Sequence, residues 1–341
     1  MLEIDGSEGG GQILRTALAL SVVTGEAVTI EGIRGNRPEP GLKPQHLAAV
    51  ETLATVSSAT VEGASAGSES LTFEPGAPTG GEMSVDIGTA GSIPLLFDAV
   101  LPVATVLSEP LQVTATGGTE VKWSPPLAAH EHAKLPLCRE LGLQAATDRK
   151  QTGFYPAGGG KAMLYLTPSA PEPLSLTDRG PLRGAHIYSR ESEDLAANNV
   201  AQRQAVAARR RLQDGAVEVL ETVQTTVTTN SAGSALSIVL DYDRTRAGAD
   251  ALGERDKSAE EVADEAAADA LSFEAGSAAV DDHLADQLLV LLALAGGQLR
   301  IGERTPHVQS SLDLLASFGF EMRVVENESS VTITAPSPSR Q

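Results

Sequence analysis

The sequence contains a single cysteine, few lysines and few aromatic residues. The lone thiol, Cys138, excludes an intramolecular disulfide, and no nearby histidine stands at zinc-finger spacing from it. We therefore expect the protein to work in a reducing compartment, the cytoplasm.

Long apolar runs are also missing. The longest apolar stretch, residues 284–295, is interrupted by Asp286 and Gln287 and is too short to cross a bilayer. The first residues include Glu3 and lack the basic and apolar segments of a secretory signal. With 341 residues and 41% hydrophobic content, the chain is long enough for two globular domains, and no membrane partner is expected.

Positive charge is scarce and comes mostly from arginine. The net charge is −20, the pI is near 4.7 and aromatic residues make up 3% of the chain. This balance argues against non-specific nucleic-acid binding through a broad basic face. Because the acidity is spread along the chain, we interpret it as adaptation to high salt, in which repulsion between charges is screened.

Three stretches of the chain share one order of predicted elements. Each contains a helix, a strand, a loop, a second helix and a second strand, and each ends in a closing strand. A short strand precedes the first helix in the first two stretches. Alternating helices and strands predict an α/β (α+β) fold, with a large domain of three βαβαββ units that each pack two helices on a four-stranded sheet.

One segment does not fit this template and predicts a small inserted α/β domain. The chain would then divide into residues 1–182 with units one and two, residues 183–277 as the inserted domain, and residues 278–341 with unit three. Within the insertion, residues 241–269 hold ten acidic and four basic residues. Such a charge run is expected to be solvent-exposed surface.

Three glycines, residues 9–11, follow Glu8 and precede the first helix. Unhindered amides at a helix N-terminus can bind an anion, but a tight turn explains a glycine triplet equally well. A carboxylate beside an anion site makes sense when a divalent cation lies between them. The motif is therefore consistent with a site for phosphate and metal.

A cationic loop lies between the first strand and the second helix of unit one. Arg34, Arg37 and Lys43 occur within ten residues, in a segment stiffened by proline. Arginine forks match phosphate oxygens, so the loop predicts a local phosphate site on an acidic protein.

His307 occupies the loop-to-helix junction of unit three, and we expect the equivalent loops of all three units to converge. A helix N-terminus disfavours imidazolium, which leaves a neutral nitrogen able to attack an α-phosphate. A lone histidine is more often structural, and surface solvation explains His46, His130 and His132 on their predicted helix faces. Asp286 and Gln287 interrupt an apolar helix and suit recognition of a ligand such as a nucleobase.

Seven motifs, in this order, resemble those of the RNA 3′-terminal phosphate cyclases over nearly the whole chain. They are EGGGQILR, RGNRPEPGLKPQHLAAV, GTAGSIPLLFDAVLP, GGT followed by PP, GFYPAGGG, DDHLADQLLVLLALAGG and PHVQSSLDLL. The resemblance implies a large domain of three repeats, like those of enolpyruvate transferases, with an inserted domain at the same place.

The resemblance also implies a reaction in three steps, with ATP, a divalent metal (Mg²⁺ or Mn²⁺) and RNA 3′-phosphate ends as partners. A histidine attacks ATP and releases pyrophosphate, and AMP then passes to the RNA 3′-phosphate. The neighbouring 2′-hydroxyl finally attacks the activated phosphate, which leaves a 2′,3′-cyclic end and AMP. The last step needs mainly positioning, because both groups belong to one ribose.

Site residues carry over from the family motifs one by one. His307 matches the nucleophile and Glu8 the metal-binding glutamate. The nucleotide-binding positions are Arg15, Arg34 and Arg37 near the phosphates, Asp286 and Gln287 beside the nucleotide, and Pro125 or Pro126 against the adenine. Two positions depart from the pattern: His283 stands where many members have a tyrosine that stacks on adenine, and Asp98 where a glutamine is common.

Two rival functions remain at this point. Some relatives of these cyclases have lost the nucleophile and serve as RNA-binding or ribosome-assembly factors, and the presence of His307 argues against that function here. An enolpyruvyl-type transferase is suggested only by the repeat architecture.

Overall fold

The computed structural model describes residues 1–8 and 10–337 of the chain. Its strands are β1 (Leu2–Asp5), β2 (Val28–Glu31), β3 (Thr60–Glu62), β4 (Leu71–Glu74), β5 (Gly81–Asp86), β6 (Leu111–Gly117), β7 (Ala145–Gln151), β8 (Gly160–Leu166), β9 (Leu174–Leu176), β10 (Leu182–Ser192), β11 (Val219–Val227), β12 (Ser234–Tyr242), β13 (Arg246–Leu252), β14 (Gly297–Ile301), β15 (Arg323–Glu326) and β16 (Val331–Ala335).

The helices alternate with these strands. They are α1 (Gly11–Thr24), α2 (Pro44–Ser57), α3 (Ile93–Val100), α4 (Leu127–Ala129), α5 (Leu135–Glu140), α6 (Glu193–Ala196), α7 (Val200–Asp214), α8 (Ala259–Ala275), α9 (Asp282–Gln287), α10 (Leu289–Ala295) and α11 (Pro306–Ser317). A 3-10 helix (Leu101–Thr105) continues α3, and a π-helical turn (His130–Lys134) joins α4 to α5.

In the described residues, three four-stranded sheets share one strand order. They are β1–β2–β4–β3, β5–β6–β8–β7 and β9–β14–β16–β15. In each sheet the first pair is parallel and the other two pairs are antiparallel. The α/β fold class predicted from the sequence is confirmed.

The first strand of the third sheet lies on the other side of the insertion in the chain. A leading strand was predicted only for units one and two, but β9 pairs in parallel with β14 and completes the third sheet. β9 is three residues long and follows a proline-rich segment, so its alternation is too short to detect. The boundaries 1–182, 183–277 and 278–341 stay a prediction.

The remaining sheet described has the order β11–β10–β12–β13 and its own aliphatic core. The helices α7 and α8 cover it. The strand β13 falls within the acidic run and was not predicted from the sequence. Its inward residues Ala247, Ala249 and Ala251 are buried but small, and alanine has little strand preference.

The larger core joins the three sheets through their helices, and α1 lies at its centre. Leu14, Leu18 and Leu20 of α1 are at most 1% exposed, and the helix packs against α2, α3 and α11. Full burial of such a side chain contributes about 1.5–3 kcal/mol. This packing brings the N-terminal ends of helices from different units together. Among the described residues, no helix is both long enough and apolar enough to cross a membrane.

Candidate active site

A cleft of about 960 Å³ opens where the first turns of α1, α2, α9 and α11 meet. The first amides of a helix have no intrahelical partner and carry partial positive charge. Several N-termini at one cleft therefore favour a polyanionic ligand.

The cleft brings together most of the residues predicted from the sequence. Its lining includes Gly10, Gly11, Arg15, Arg34, Arg37, Pro125, Pro126, His283, Asp286, Gln287 and His307. Glu8 is exposed and is not among the lining residues in the described part of the chain. Gly9, the first residue of the glycine triplet, lies outside the described residues.

The two described glycines of the triplet meet different requirements. Gly10 caps α1 with a φ of 61°, the left-handed region, and a side chain there would press on Arg37. A side chain on Gly11 would collide with the ring of His46. Gly10 thus forms the turn into α1, and Gly11 allows the close approach of α1 to His46.

His307 is the second residue of α11, and its ring is tied to α1. Its Nδ1 lies 2.6 Å from Oε1 of Gln12. Nε2 of Gln12 donates to Oδ2 of Asp286 at 2.8 Å and to Oγ of Ser311 at 2.9 Å. One amide therefore joins the N-terminal turns of α1 and α11 to α9.

This network determines which nitrogen of His307 carries the proton. A carboxylate only accepts hydrogen bonds, so the amide nitrogen of Gln12 must face Asp286 and its oxygen must face His307. Nδ1 of His307 then donates its proton to that oxygen, and in the neutral ring Nε2 keeps its lone pair. His307 is oriented as a nucleophile or base.

The carboxyl group of Asp286 is partly buried beside this network. Burial raises its pKa to about 6, and the nearby His307, Lys134 and His283 oppose the rise. Above that pH, Asp286 is a carboxylate that holds Gln12.

His46 was expected at the solvent surface, and that prediction is wrong. Its residue exposure is 4%, and its Nδ1 accepts the backbone N–H of Lys43 at 3.1 Å. Burial, followed by the positive charges of Arg15, Arg34 and Lys43, lowers its pKa to about 3. The ring is therefore neutral and carries its proton on Nε2, next to Gly11 and Arg15.

The other two histidines assigned to solvated faces are also packed. His130 is 2% exposed, and its Nε2 lies 3.4 Å from Oδ1 of Asp98. His132 stacks on Tyr188 with ring centroids 3.9 Å apart. One sequence feature could have singled out His46 as a cleft residue. His46 follows Pro44 in the first turn of α2, as His307 follows Pro306 in the first turn of α11.

The cationic loop is held in shape by its own arginine. The Nη1 of Arg34 donates to the carbonyl oxygens of Glu39 and Gly41, at 2.8 and 2.9 Å. Burial, together with the like charge of Arg37, lowers the pKa of Arg34. Burial lowers the pKa of Arg15, and the carboxylates of Asp98 and Asp286 oppose this effect. Arg15 and Arg37 both line the cleft, and in the described residues neither forms an ion pair with a carboxylate.

Asp98, one of the two departures from the family pattern, forms a buried ion pair. Its Oδ1 lies 2.6 Å from Nζ of Lys134. Burial alone would raise the pKa of Asp98, but Lys134 and His130 outweigh it and lower the pKa to about 2. A carboxylate is compatible with this position because a lysine neutralises it.

The cleft also includes Asp250 from β13, a residue that the sequence analysis placed in solvent-exposed surface. That prediction is wrong for this carboxyl group, which is half-buried in the lining of the cleft, and burial raises its pKa to about 7. Its Oδ1 has no hydrogen-bond partner among the described residues. Asp250 faces the cleft because β13 packs beside α4 and the π-helical turn, and the N–H of Gly248 donates to Oδ2 of Asp281 at 2.8 Å. These long-range contacts have no sequence signal.

Comparison with known proteins agrees with the motifs. The family model described as RNA 3′-terminal phosphate cyclase matches residues 6–324. A protein of that name from Halobacterium salinarum is 43% identical over 97% of this chain and 98% of its own. Others from Pyrococcus furiosus and Ectopseudomonas mendocina are 40% and 38% identical, over 93% of this chain and 93% and 92% of theirs.

The family match and the similarity of relatives over nearly their full length agree with a cleft that holds the motif residues. The chain belongs to the RNA 3′-terminal phosphate cyclase family.

Proposed function

We propose that the protein converts an RNA 3′-terminal phosphate into a 2′,3′-cyclic phosphodiester at the expense of ATP. The observation that carries this proposal is the orientation of His307 by Gln12 at a cleft lined with arginines. A ring nitrogen with a free lone pair, beside cationic side chains and helix N-termini, suits nucleophilic attack on a phosphate.

In the first step, Nε2 of His307 attacks the α-phosphorus of ATP. The P–N bond forms, the bond to the bridging oxygen breaks, and pyrophosphate leaves. The positive charge that develops on the ring is stabilised through Nδ1–H, which donates to Gln12, and through Asp286 behind it. Arg15, Arg34 and Arg37 line the cleft, and we assign the phosphate oxygens to them because guanidinium groups match phosphate.

In the second step, an oxygen of the RNA 3′-phosphate attacks the phosphorus bound to His307. The P–N bond breaks, and neutral His307 is restored. In the third step, the 2′-hydroxyl attacks the activated 3′-phosphorus and AMP leaves. The hydroxyl proton passes to solvent, and the cyclic phosphodiester remains.

The base of ATP is assigned to the end of the cleft lined by His283, Asp286, Gln287 and Pro125 or Pro126. An imidazole offers a flat face for stacking in place of the tyrosine of other members. The two consecutive prolines, Pro125 and Pro126, lie just before α4 and provide an apolar surface.

Glu8 is proposed as a ligand for Mg²⁺ or Mn²⁺. Among the described residues, no group of three or more potential ligands is placed to hold a metal ion. Mg²⁺ requires no such group, since it commonly takes one or two carboxylates together with water and substrate phosphates. A lone carboxylate two residues before Gly10 fits that arrangement, and the ion would neutralise charge on the phosphates.

The test is product analysis with a 3′-phosphorylated oligoribonucleotide. Wild-type protein with ATP and Mg²⁺ should make the 3′ end resistant to phosphatase, and His307→Ala should not. RNA binding without conversion by the wild type would contradict the proposal and favour a non-catalytic RNA-binding factor.

A further inference from the structure

Trp123 is the most exposed large side chain at the mouth of the cleft. It is 94% exposed, and it is the one tryptophan in the sequence. Its φ of 61° lies in the left-handed region, which bulky residues rarely adopt. An exposed aromatic side chain held in a disfavoured backbone conformation points to a function at this position.

A second exposed aromatic residue, Tyr155, lies on the neighbouring loop. It is 60% exposed and lines the same cleft. An isolated parallel bridge joins Glu120 to Phe154, so the loop that carries Trp123 and the loop that carries Tyr155 run side by side. Two of the few aromatic residues in this chain therefore lie on adjacent loops that line the cleft.

Both loops are anchored to their surroundings. Beside Trp123, Nζ of Lys122 pairs with Glu254 of the inserted segment at 2.9 Å, and Oγ of Ser124 contacts Oγ of Ser92 at 2.5 Å. Beyond Tyr155, the N–H of Ala157 donates to Oγ of Ser231 at 3.0 Å. The two rings are thus presented on fixed loops.

The cleft that these rings border is also lined by cationic side chains, in a protein of net charge −20. Lys122 and Lys43 pair with Glu254 and Glu39. Among the described residues, Arg37 has no carboxylate partner. Exposed aromatic faces beside cationic side chains match unpaired bases on a phosphate backbone.

We propose that Trp123 and Tyr155 form a stacking platform for the last unpaired bases of the RNA substrate and so position its 3′-phosphate at His307. This inference rests on the proposed function. It assigns the platform to the RNA and leaves the ATP base at the end of the cleft near His283. Because every base has a flat face, the platform selects single-stranded ends with little preference for sequence.

The single tryptophan makes the platform directly observable. Trp fluorescence should be quenched on titration with a single-stranded, 3′-phosphorylated oligoribonucleotide of about ten nucleotides, without ATP. Tyr155→Ala should weaken the binding seen in this titration. Absence of quenching at RNA concentrations that saturate turnover would overturn the proposal. Quenching by ATP alone would also overturn it, since that places Trp123 at the nucleotide.

Kinetic measurements distinguish an effect on RNA binding from an effect on the reaction with ATP. Trp123→Ala should raise KM for RNA by about 5-fold to about 100-fold, the range given by loss of one base stack, and Trp123→Phe should restore most of it. Self-adenylation from ATP, measured without RNA, should proceed as in the wild type. A matched control is Val206→Ala on α7, which removes a side chain that is 60% exposed and outside the cleft.

The outcomes distinguish the platform from the reaction itself. If wild-type protein forms no adenylate but RNA still quenches Trp123, the proposed function fails and the platform stands. If adenylation is normal and Trp123→Ala leaves KM for RNA unchanged, the platform is wrong and the proposed function stands.

Discussion

At the scale of single residues, the proposed chemistry depends on how one amide is held. Gln12 accepts a hydrogen bond from His307 and donates one to Asp286, so its two ends are not interchangeable. The carboxylate sets the amide orientation, and the amide sets the histidine tautomer. Gln12 is therefore a positioning residue for His307.

Gln12→Ala should lower the rate of self-adenylation by about 100-fold, because a misplaced nucleophile loses the alignment required for attack. The binding of ATP should change little, since Gln12 acts through His307. Single-turnover labelling at saturating ATP measures the rate. Gln309→Ala serves as the control, because its amide on α11 binds Asp313 and does not contact His307. An equal loss in both variants would contradict the positioning role.

Because the pKa of Asp286 is raised, we expect this residue to make the stability of the protein depend on pH. Its folded pKa of about 6 lies above the ordinary value of 3.8, so ionisation disfavours the folded state. The contribution of this carboxyl group to the free energy of unfolding is most favourable below pH 4, where the group is protonated. The contribution is lost between pH 4 and 6 and stays lost at higher pH. The Tm difference between Asp286→Asn and wild type should therefore rise by several degrees across that window, as followed by circular dichroism. A difference that does not vary with pH would contradict the assignment.

The sequence identified the residues that break a pattern and missed those that do not. His307, Asp286 and Gln287 were predicted because they interrupt an apolar helix or begin one. Gln12 and Asp250 were missed, because a glutamine in an amphipathic helix and an aspartate in an acidic run are ordinary. Their roles arise from contacts between distant segments, which local patterns do not encode.

At the scale of elements, the N-terminus of α1 depends on its fit against α2. Gly11 leaves no room for a side chain because the buried ring of His46 lies over it. Gly11 thus allows α1 and α2 to pack closely at their N-terminal ends.

Gly11→Ala should destabilise the protein by about 1–3 kcal/mol through overpacking. Adding His46→Ala should recover part of that loss by removing the ring, and the recovery appears as non-additivity in a double-mutant cycle of unfolding free energies. Gly302→Ala is the matched control, since a side chain there meets nothing closer than 3.8 Å. Additive effects of the two changes would show that the ring is not the obstacle.

Elements with strong periodicity were predicted well, and short strands were not. The sequence predicts helices over residues 12–23, 45–56 and 308–318, and α1, α2 and α11 begin and end within two residues of these bounds. The strands β9 and β13 were missed, because one has three residues and the other is rich in alanine and glycine. β9 pairs across the insertion with β14, whereas β13 pairs with the preceding strand β12 in a hairpin.

At the scale of the whole molecule, the net charge of −20 is a source of self-repulsion. The cleft concentrates cations within this acidic protein, so a polyanionic substrate is attracted locally and repelled elsewhere. Salt weakens the repulsion over the whole surface.

Stability should therefore increase with salt. Raising KCl from about 0.1 M to about 1 M shortens the screening length from about 10 Å to about 3 Å, and Tm should rise by several degrees. Differential scanning fluorimetry at neutral pH measures the rise, and a repeat near the pI of 4.7 should show a smaller one. A Tm that falls with KCl at neutral pH would contradict the salt-adaptation hypothesis.

The central claim, that His307 becomes covalently adenylated, is tested most directly with α-labelled ATP. Wild-type protein incubated with Mg²⁺ should acquire acid-labile label, His307→Ala should acquire none, and added RNA 3′-phosphate should discharge the label from the wild type. An absence of label in the wild type, or label that persists in His307→Ala, would contradict the mechanism.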